Sequence, residues 1–154
     1  MSQALARKTR ANAPVTVAER IRTAAFSAWE LGLCVIPIKA DGSKIPPLKW
    51  QEFIHRRPTR RQMDKFFVTY DQQGLALLCG GVSRGLECLD FDSDEAYEAF
   101  RGRARECGLF DLLESTENAY LEKTPRGVHL FYYCDTPRAS TVLARQTAAG
   151  GTRK

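Results

Sequence analysis

Leu86-Glu87-Cys88-Leu89-Asp90-Phe91-Asp92 is an apolar run that ends in two aspartates one residue apart. In a β-strand, residues two apart share a face, so Asp90 and Asp92 would project side by side behind Leu86 and Cys88. Two carboxylates held that close repel one another unless something positive lies between them. A hard divalent cation such as Mg²⁺ takes oxygen ligands and keeps several waters, drawing on one or two carboxylates and on substrate phosphates. The pattern therefore points toward phosphoryl or nucleotidyl transfer, in which metal ions stabilise attacking and leaving oxygens. Read as architecture alone, the same stretch is a strand turning out to solvent, with Asp92 or Ser93 capping the helix that follows.

Outward from that strand, turns, strands and helices alternate. Just before it, Gly80-Gly81-Val82-Ser83-Arg84-Gly85 is a turn-rich link from a buried strand, Leu75-Ala76-Leu77-Leu78-Cys79. Just after it, a helix is predicted over 94–107, acidic in its first turn as the macrodipole prefers. Ala96, Phe100, Ala104 and Cys107 form its inward side and Gly108 ends it. Beyond a looser stretch, strands over 119–123 and 128–134 are joined around Pro125-Arg126-Gly127. Toward the N-terminus, Thr59-x-x-Gln62 has the form of a capping box and opens a helix with Met63, Phe66, Phe67 and Tyr70 on its apolar side, closed near Gly74. Asp41-Gly42-Ser43-Lys44-Ile45-Pro46-Pro47 is a turn whose prolines hold the chain extended up to Trp50.

Leu33-Cys34-Val35-Ile36-Pro37-Ile38 reads as the first strand, with Pro37 favouring an edge or a strand end. Thr16-Val17-Ala18-Glu19 is a second capping box, and Val17, Ile21, Ala24, Ala25, Ala28 and Leu31 keep helical spacing until Gly32, which predicts a helix over 17–31. The order α-β-α-β-β-α-β-β, with hairpins, predicts an α+β fold: a mixed or antiparallel sheet with covering helices rather than a doubly wound parallel one.

A chain of 154 residues, 44% hydrophobic and 27% charged, is one globular domain's worth and long enough for a real core. No apolar stretch approaches the roughly 20 residues that cross a bilayer, and the N-terminus has charges where a signal peptide needs an apolar core. The expectation is a cytoplasmic protein with no membrane partner. Five cysteines without a C-x-x-C pair, four of them inside apolar runs, argue for buried reduced thiols over a disulfide framework or a zinc site. With only His55 and His129, a histidine-rich metal centre is excluded.

The net charge of +5 is local. Arg7, Lys8 and Arg10 form one acid-free cluster and Arg56, Arg57, Arg60 and Arg61 another; with these set aside, acids outnumber bases. Such patches are the footprint of phosphate or nucleic-acid contact, and equally the solvated start of a helix. Residues 1–14 lack apolar periodicity and read as a disordered basic arm, 15–140 as the domain, and 141–154 as an irregular tail.

His129 opens the strand His129-Leu130-Phe131-Tyr132-Tyr133. A lone strand histidine is ordinarily a packed residue, but beside a carboxylate pair on a neighbouring strand it can donate to a triphosphate. Arg126 with the Gly127 backbone could bind the same anion. Lys44, in Lys-x-Pro, either reaches phosphate from a rigid turn or is a solvated turn lysine.

Taken in order, these pieces resemble the N-terminal domain of bifunctional DNA primase-polymerases, within the archaeo-eukaryotic primase superfamily. The resemblance rests on Trp29-Glu30-Leu31-Gly32, Ile36-Pro37, Lys44-x-Pro46, Trp50, the strand and glycine turn at 77–81, Ser83-Arg84-Gly85-Leu86 running into Leu89-Asp90-Phe91-Asp92, and Thr124-x-Arg126-Gly127-x-His129-Leu130-x-Tyr132. It covers about residues 20–135. It implies a catalytic core similar to an RNA-recognition-motif fold, with Asp90 and Asp92 as ligands of Mg²⁺ or Mn²⁺ and His129 as the contact to the incoming triphosphate. Gly127 falls where many relatives carry serine.

The resemblance also implies a third acid from a further strand after His129. Downstream, the only acidic residue is Asp135, at the close of the same strand. The domain is therefore expected to be incomplete at its C-terminus, or to belong to a relative that binds without catalysing.

Two readings of function follow. In the first, the chain is a metal-dependent, template-directed nucleotidyltransferase of cell, plasmid or phage replication. His129, Arg126 and Lys44 would steady a nucleoside triphosphate, Arg56, Arg57, Arg60 and Arg61 would hold DNA template and primer, and a helicase domain or protein would be a further partner. In the second, it is a non-catalytic nucleic-acid or nucleotide-binding module on the same fold, with Phe131, Tyr133 and Trp50 as stacking platforms. A phosphohydrolase using the same carboxylates lacks a nucleophile motif and leaves Arg126-Gly127-Val128-His129 without a role.

Overall fold

The computed structural model describes residues 14–39, 41–69 and 72–145. The first helix, α1 (Val17–Glu30), starts as the capping box requires: the Thr16 hydroxyl accepts from the Glu19 N–H at 3.2 Å and the Glu19 carboxylate accepts from the Thr16 N–H at 2.7 Å. It stops at Gly32, whose φ of +96° is left-handed and whose Cα lies so close to Arg84 that an added Cβ would sit 2.6 Å from Arg84 Cδ. The last turn carries no basic residue of its own. Arginines from elsewhere supply that charge: Arg57 donates to the Trp29 and Leu33 carbonyls, and Arg84 to the Leu31 carbonyl at 3.2 Å.

β1 (Cys34–Lys39) pairs antiparallel with β2 (Gln72–Leu78) in a two-stranded sheet. Between them run a 3₁₀ turn, Gln51–Ile54, and α2 (Arg60–Thr69). The second capping box forms too, Thr59 and Gln62 exchanging hydrogen bonds at 2.9 and 3.3 Å. Ala25, Val35, Ile36, Phe53, Met63, Phe66 and Phe67 close the first core. Ser83, fully buried, fastens the two strands by donating to the Leu78 carbonyl and accepting from the Cys34 N–H. β2 begins earlier than the sequence predicts. Gly74 does not close a helix; it is a strand residue opposite Ile38, where an added Cβ would lie 3.0 Å from the Ile38 side chain.

The second sheet has the order β3-β5-β4, all antiparallel, with β3 (Leu86–Phe91), β4 (Leu121–Lys123) and β5 (Val128–Tyr133). After β3, Ser93 caps α3 (Asp94–Glu106) by accepting from the Ala96 N–H at 3.1 Å. A fourth helix, α4 (Phe110–Ala119), occupies the stretch read from sequence as loose. The α+β class stands, with two small antiparallel sheets in place of the single sheet expected.

Strand alternation divides the second sheet. On one face Leu89, Phe91, Leu121 and Leu130 pack with Ala104 of α3 and Leu113 of α4. On the other, Leu86 and Phe131 join the first core, while Cys88, Asp90, Glu122 and His129 share the same parity in register.

Two expectations about burial fail in part. Cys34 is buried and its thiol is pushed up to about 11 by that burial, as Cys88 is to about 12, but Cys79 and Cys107 are exposed. On α3, Cys107 is exposed, Phe100 is only part-covered with its ring against Phe91 at 5.2 Å, and Tyr97, which the helical spacing did not place inward, is buried where α4 packs against α3: its hydroxyl donates to Glu117 at 2.7 Å. Tyr70, residues 1–13 of the basic arm and 146–154 of the tail lie outside the described residues.

Candidate active site on the three-stranded sheet

Register alone brings the site together. Asp90 on β3 is the cross-strand partner of His129 on β5, and Glu122 on β4 is the partner of His129 from the other side. The result is a row of acid, imidazole and acid across the sheet. His129 Nε2 lies 3.3 Å from Asp90 Oδ1, and Nδ1 lies 3.2 Å from Glu122 Oε2. Of the two contacts, the one at Nδ1 has hydrogen-bond geometry. Edge-on packing of the His129 ring against Phe131, at 6.0 Å between centroids, holds the imidazole from behind.

Asp92 lies one residue past the end of β3, exposed in the bend that leads to the Ser93 cap. The strand ends sooner than the Asp-x-Asp reading supposed, so side-by-side projection from one regular strand does not extend to Asp92.

The β4–β5 turn is built by Thr124. Its hydroxyl accepts from the Gly127 N–H at 2.9 Å and the Arg126 N–H at 3.4 Å, and its own N–H donates to the Gly127 carbonyl at 2.9 Å. The Gly127 amide is thus occupied within the turn. Gly127 is glycine for a reason of space, since an added Cβ would stand 1.9 Å from the Phe91 carbonyl oxygen and 2.8 Å from the Ser93 nitrogen. The turn therefore presses directly on the backbone that carries Asp90 and Asp92.

Asp90, Glu122, His129, Thr124 and Lys44 line one open cleft of about 1470 Å³. Lys44, in a left-handed conformation at φ 58°, is exposed there. Arg126 is exposed at the turn, outside the lining of the cleft. Asp135 is exposed beyond β5.

The Arg56–Arg61 cluster is largely spoken for. Arg56 pairs with Glu52 and lies over the Phe53 ring; Arg57 holds the end of α1 and lies over Trp29; Arg60 pairs with Glu30 and Asp64 and lies over Phe26 at 4.5 Å. Arg61 is exposed, with no ion pair or hydrogen bond among the described residues. Of the suggested stacking residues, Trp50 and Phe131 pack against the first core and Tyr133 is exposed.

Glu122 is the residue sequence reasoning missed, because the search for a further acid ran only downstream of His129. The signal was present: pairing 119–123 with 128–134 around the turn sets residue 122 against residue 129.

As a donor set, Asp90 and Asp92 fit a hard divalent cation in kind: both are exposed carboxylates. Among the described residues no group of three or more metal-ligating side chains converges. Glu122 and Asp90 stand on opposite nitrogens of the ring rather than facing one another. A cation held here would complete its shell with water and substrate phosphate oxygens, as Mg²⁺ does.

Residues 25–152 match the model of a family described as bifunctional DNA primase/polymerase, N-terminal. No curated protein matches the chain at a significant level.

Proposed function

The chain belongs to the family of bifunctional DNA primase/polymerase N-terminal domains, and from that premise we propose that the row of Asp90, His129 and Glu122 is a nucleotide site for metal-dependent nucleotidyl transfer to DNA. The observation that carries the reading is the register of β3 against β5, which sets His129 opposite Asp90 at 3.3 Å. Asp90, with Asp92, would hold Mg²⁺ or Mn²⁺, whose chemistry is to neutralise triphosphate charge and polarise the phosphorus under attack. His129 Nε2 lies beside Asp90, so in a ring that carries both protons, with Nδ1–H taken by Glu122, a phosphate oxygen bound to an ion there would accept from Nε2–H. Lys44, which lines the same cleft, would add a positive charge toward the same phosphates. Arg61, exposed and unengaged, is the member of its cluster best placed to meet a DNA phosphate.

Calorimetric titration of the full chain with a deoxynucleoside triphosphate, with and without Mg²⁺, tests the reading. Binding should require the metal and vanish when Asp90→Asn is combined with Asp92→Asn, while binding of a short single-stranded DNA survives. Triphosphate binding indifferent to both metal and substitutions would leave only a nucleic-acid-binding module.

A further inference from the structure

His129 is held from two sides, and the two contacts differ in kind. The Nδ1 contact to Glu122 is a hydrogen bond, whereas the Nε2 contact to Asp90 is a close approach at 3.3 Å without that alignment. A ring with one anchored nitrogen has its other nitrogen aimed, because imidazole is planar and its two nitrogens lie on opposite edges. We propose that Glu122 is the positioning residue of this site: by accepting a hydrogen bond from Nδ1 it fixes the plane of His129 and sets Nε2 toward Asp90 and the cleft, where that nitrogen donates to a phosphate oxygen in the doubly protonated ring. The proposal builds on the reading of the cluster as a nucleotide site, although the anchoring itself does not require it.

Nothing else near the ring does this work. Phe131 stacks edge-on and restrains rotation, but it offers no acceptor. Thr124, the nearest hydroxyl in the turn, is used by the Arg126 and Gly127 amides. Glu122 itself has no other hydrogen-bond or ion-pair partner among the described residues, so its carboxylate serves the histidine alone. Its backbone is fixed by the β4–β5 ladder, which pairs Glu122 with His129 directly. The ligand class is the one already proposed, a nucleoside triphosphate; what is new is how the chain presents its imidazole.

The test uses the full chain labelled with ¹⁵N-histidine, with His55→Asn assigning the two rings. Long-range proton–nitrogen spectra of the neutral ring should show His129 protonated at Nδ1 in the unaltered protein. Glu122→Ala should return it to the Nε2-protonated form that a solvated histidine prefers. Glu122→Gln, which retains an acceptor but no charge, should keep the Nδ1 form, and a cooperative urea transition followed by circular dichroism reports that each variant is folded. Deoxynucleoside triphosphate affinity in Mg²⁺ should fall about tenfold in Glu122→Ala, the lower end of the range for lost orienting partners of functional histidines, and stay near the original in Glu122→Gln. Equal effects of Ala and Gln, or a tautomer unchanged in both, would overturn the proposal. A tautomer that shifts as described in a protein that binds no triphosphate would leave Glu122 as the anchor and remove the nucleotide reading instead.

Discussion

Gly127 shows how much of this site depends on a missing side chain. Its backbone stacks on Phe91 and Ser93 so tightly that a methyl group would stand 1.9 Å from a carbonyl oxygen. Gly127→Ala should destabilise the domain by about 1–3 kcal/mol, the range for overpacking, in urea denaturation. It should also weaken triphosphate binding, since the backbone forced to move is the one that carries Asp90 and Asp92. The arginines separate along a similar line. Arg57 is half-buried against α1, so Arg57→Ala should lower the unfolding midpoint while changing DNA affinity little. Arg61→Ala should do the reverse, reducing the slope of log affinity against log salt by about one unit with the midpoint unchanged. From sequence these arginines form one patch. Part of what divides them is local, since Glu52 and Asp64 each stand four residues from the arginine they pair with, and part is tertiary, since Glu30 and the α1 carbonyls come from a distant stretch of chain.

At the scale of elements, whatever is encoded locally was legible. Both capping boxes, the strand into Asp90 and the β4–β5 hairpin follow from short-range rules, and the hairpin sets Glu122 against His129. α4 escaped because it has little local signal: Leu109 at its N-cap makes no side-chain hydrogen bond, Leu112 is 68% exposed, and Leu113 is its one buried residue. Its place is set by α3, where the buried Tyr97 hydroxyl meets Glu117 and Arg101 lies 3.1 Å from the same carboxylate. β3 and β5 carry a comparable lock. Glu87 accepts from the Tyr132 hydroxyl at 2.5 Å and from the Arg138 N–H at 2.7 Å. These hydrogen bonds, that of Tyr132 first, hold the Glu87 carboxyl below the ordinary glutamate range. As pH falls the unfolded chain takes up this proton first, so the contribution is complete above the usual glutamate pKa of about 4.3 and is lost as pH drops through the folded value. Tyr132→Phe should therefore be less stable than the original at neutral pH, and the gap should narrow below pH of about 4. Urea midpoints measured across that range check it.

Across the whole molecule, the two sheets were beyond what sequence could separate, because strand pairing between distant segments is decided by cores that form only in three dimensions. Each sheet has its own core, one around Ile36, Phe53 and Met63 and the other around Leu113 and Leu130. The strands of the site join them: Leu86 and Phe131 reach into the first core from one face of β3 and β5, and Leu89, Phe91 and Leu130 into the second from the opposite face. Asp90 and His129 therefore sit on strands clamped from both sides, which is what a site that must hold a carboxylate and an imidazole at fixed distance needs. Such an arrangement has a thermodynamic signature. Ile36→Val should cost about 0.5–1.5 kcal/mol and Leu130→Ala about 2–5 kcal/mol. As the two residues lie in separate clusters, the costs should add to within about 0.5 kcal/mol in the double variant. The denaturant slope should be unchanged if β3 and β5 make the two cores unfold together. A second transition in any of the three variants would mean that the cores melt separately, and that the strands carrying Asp90 and His129 are supported on one face only.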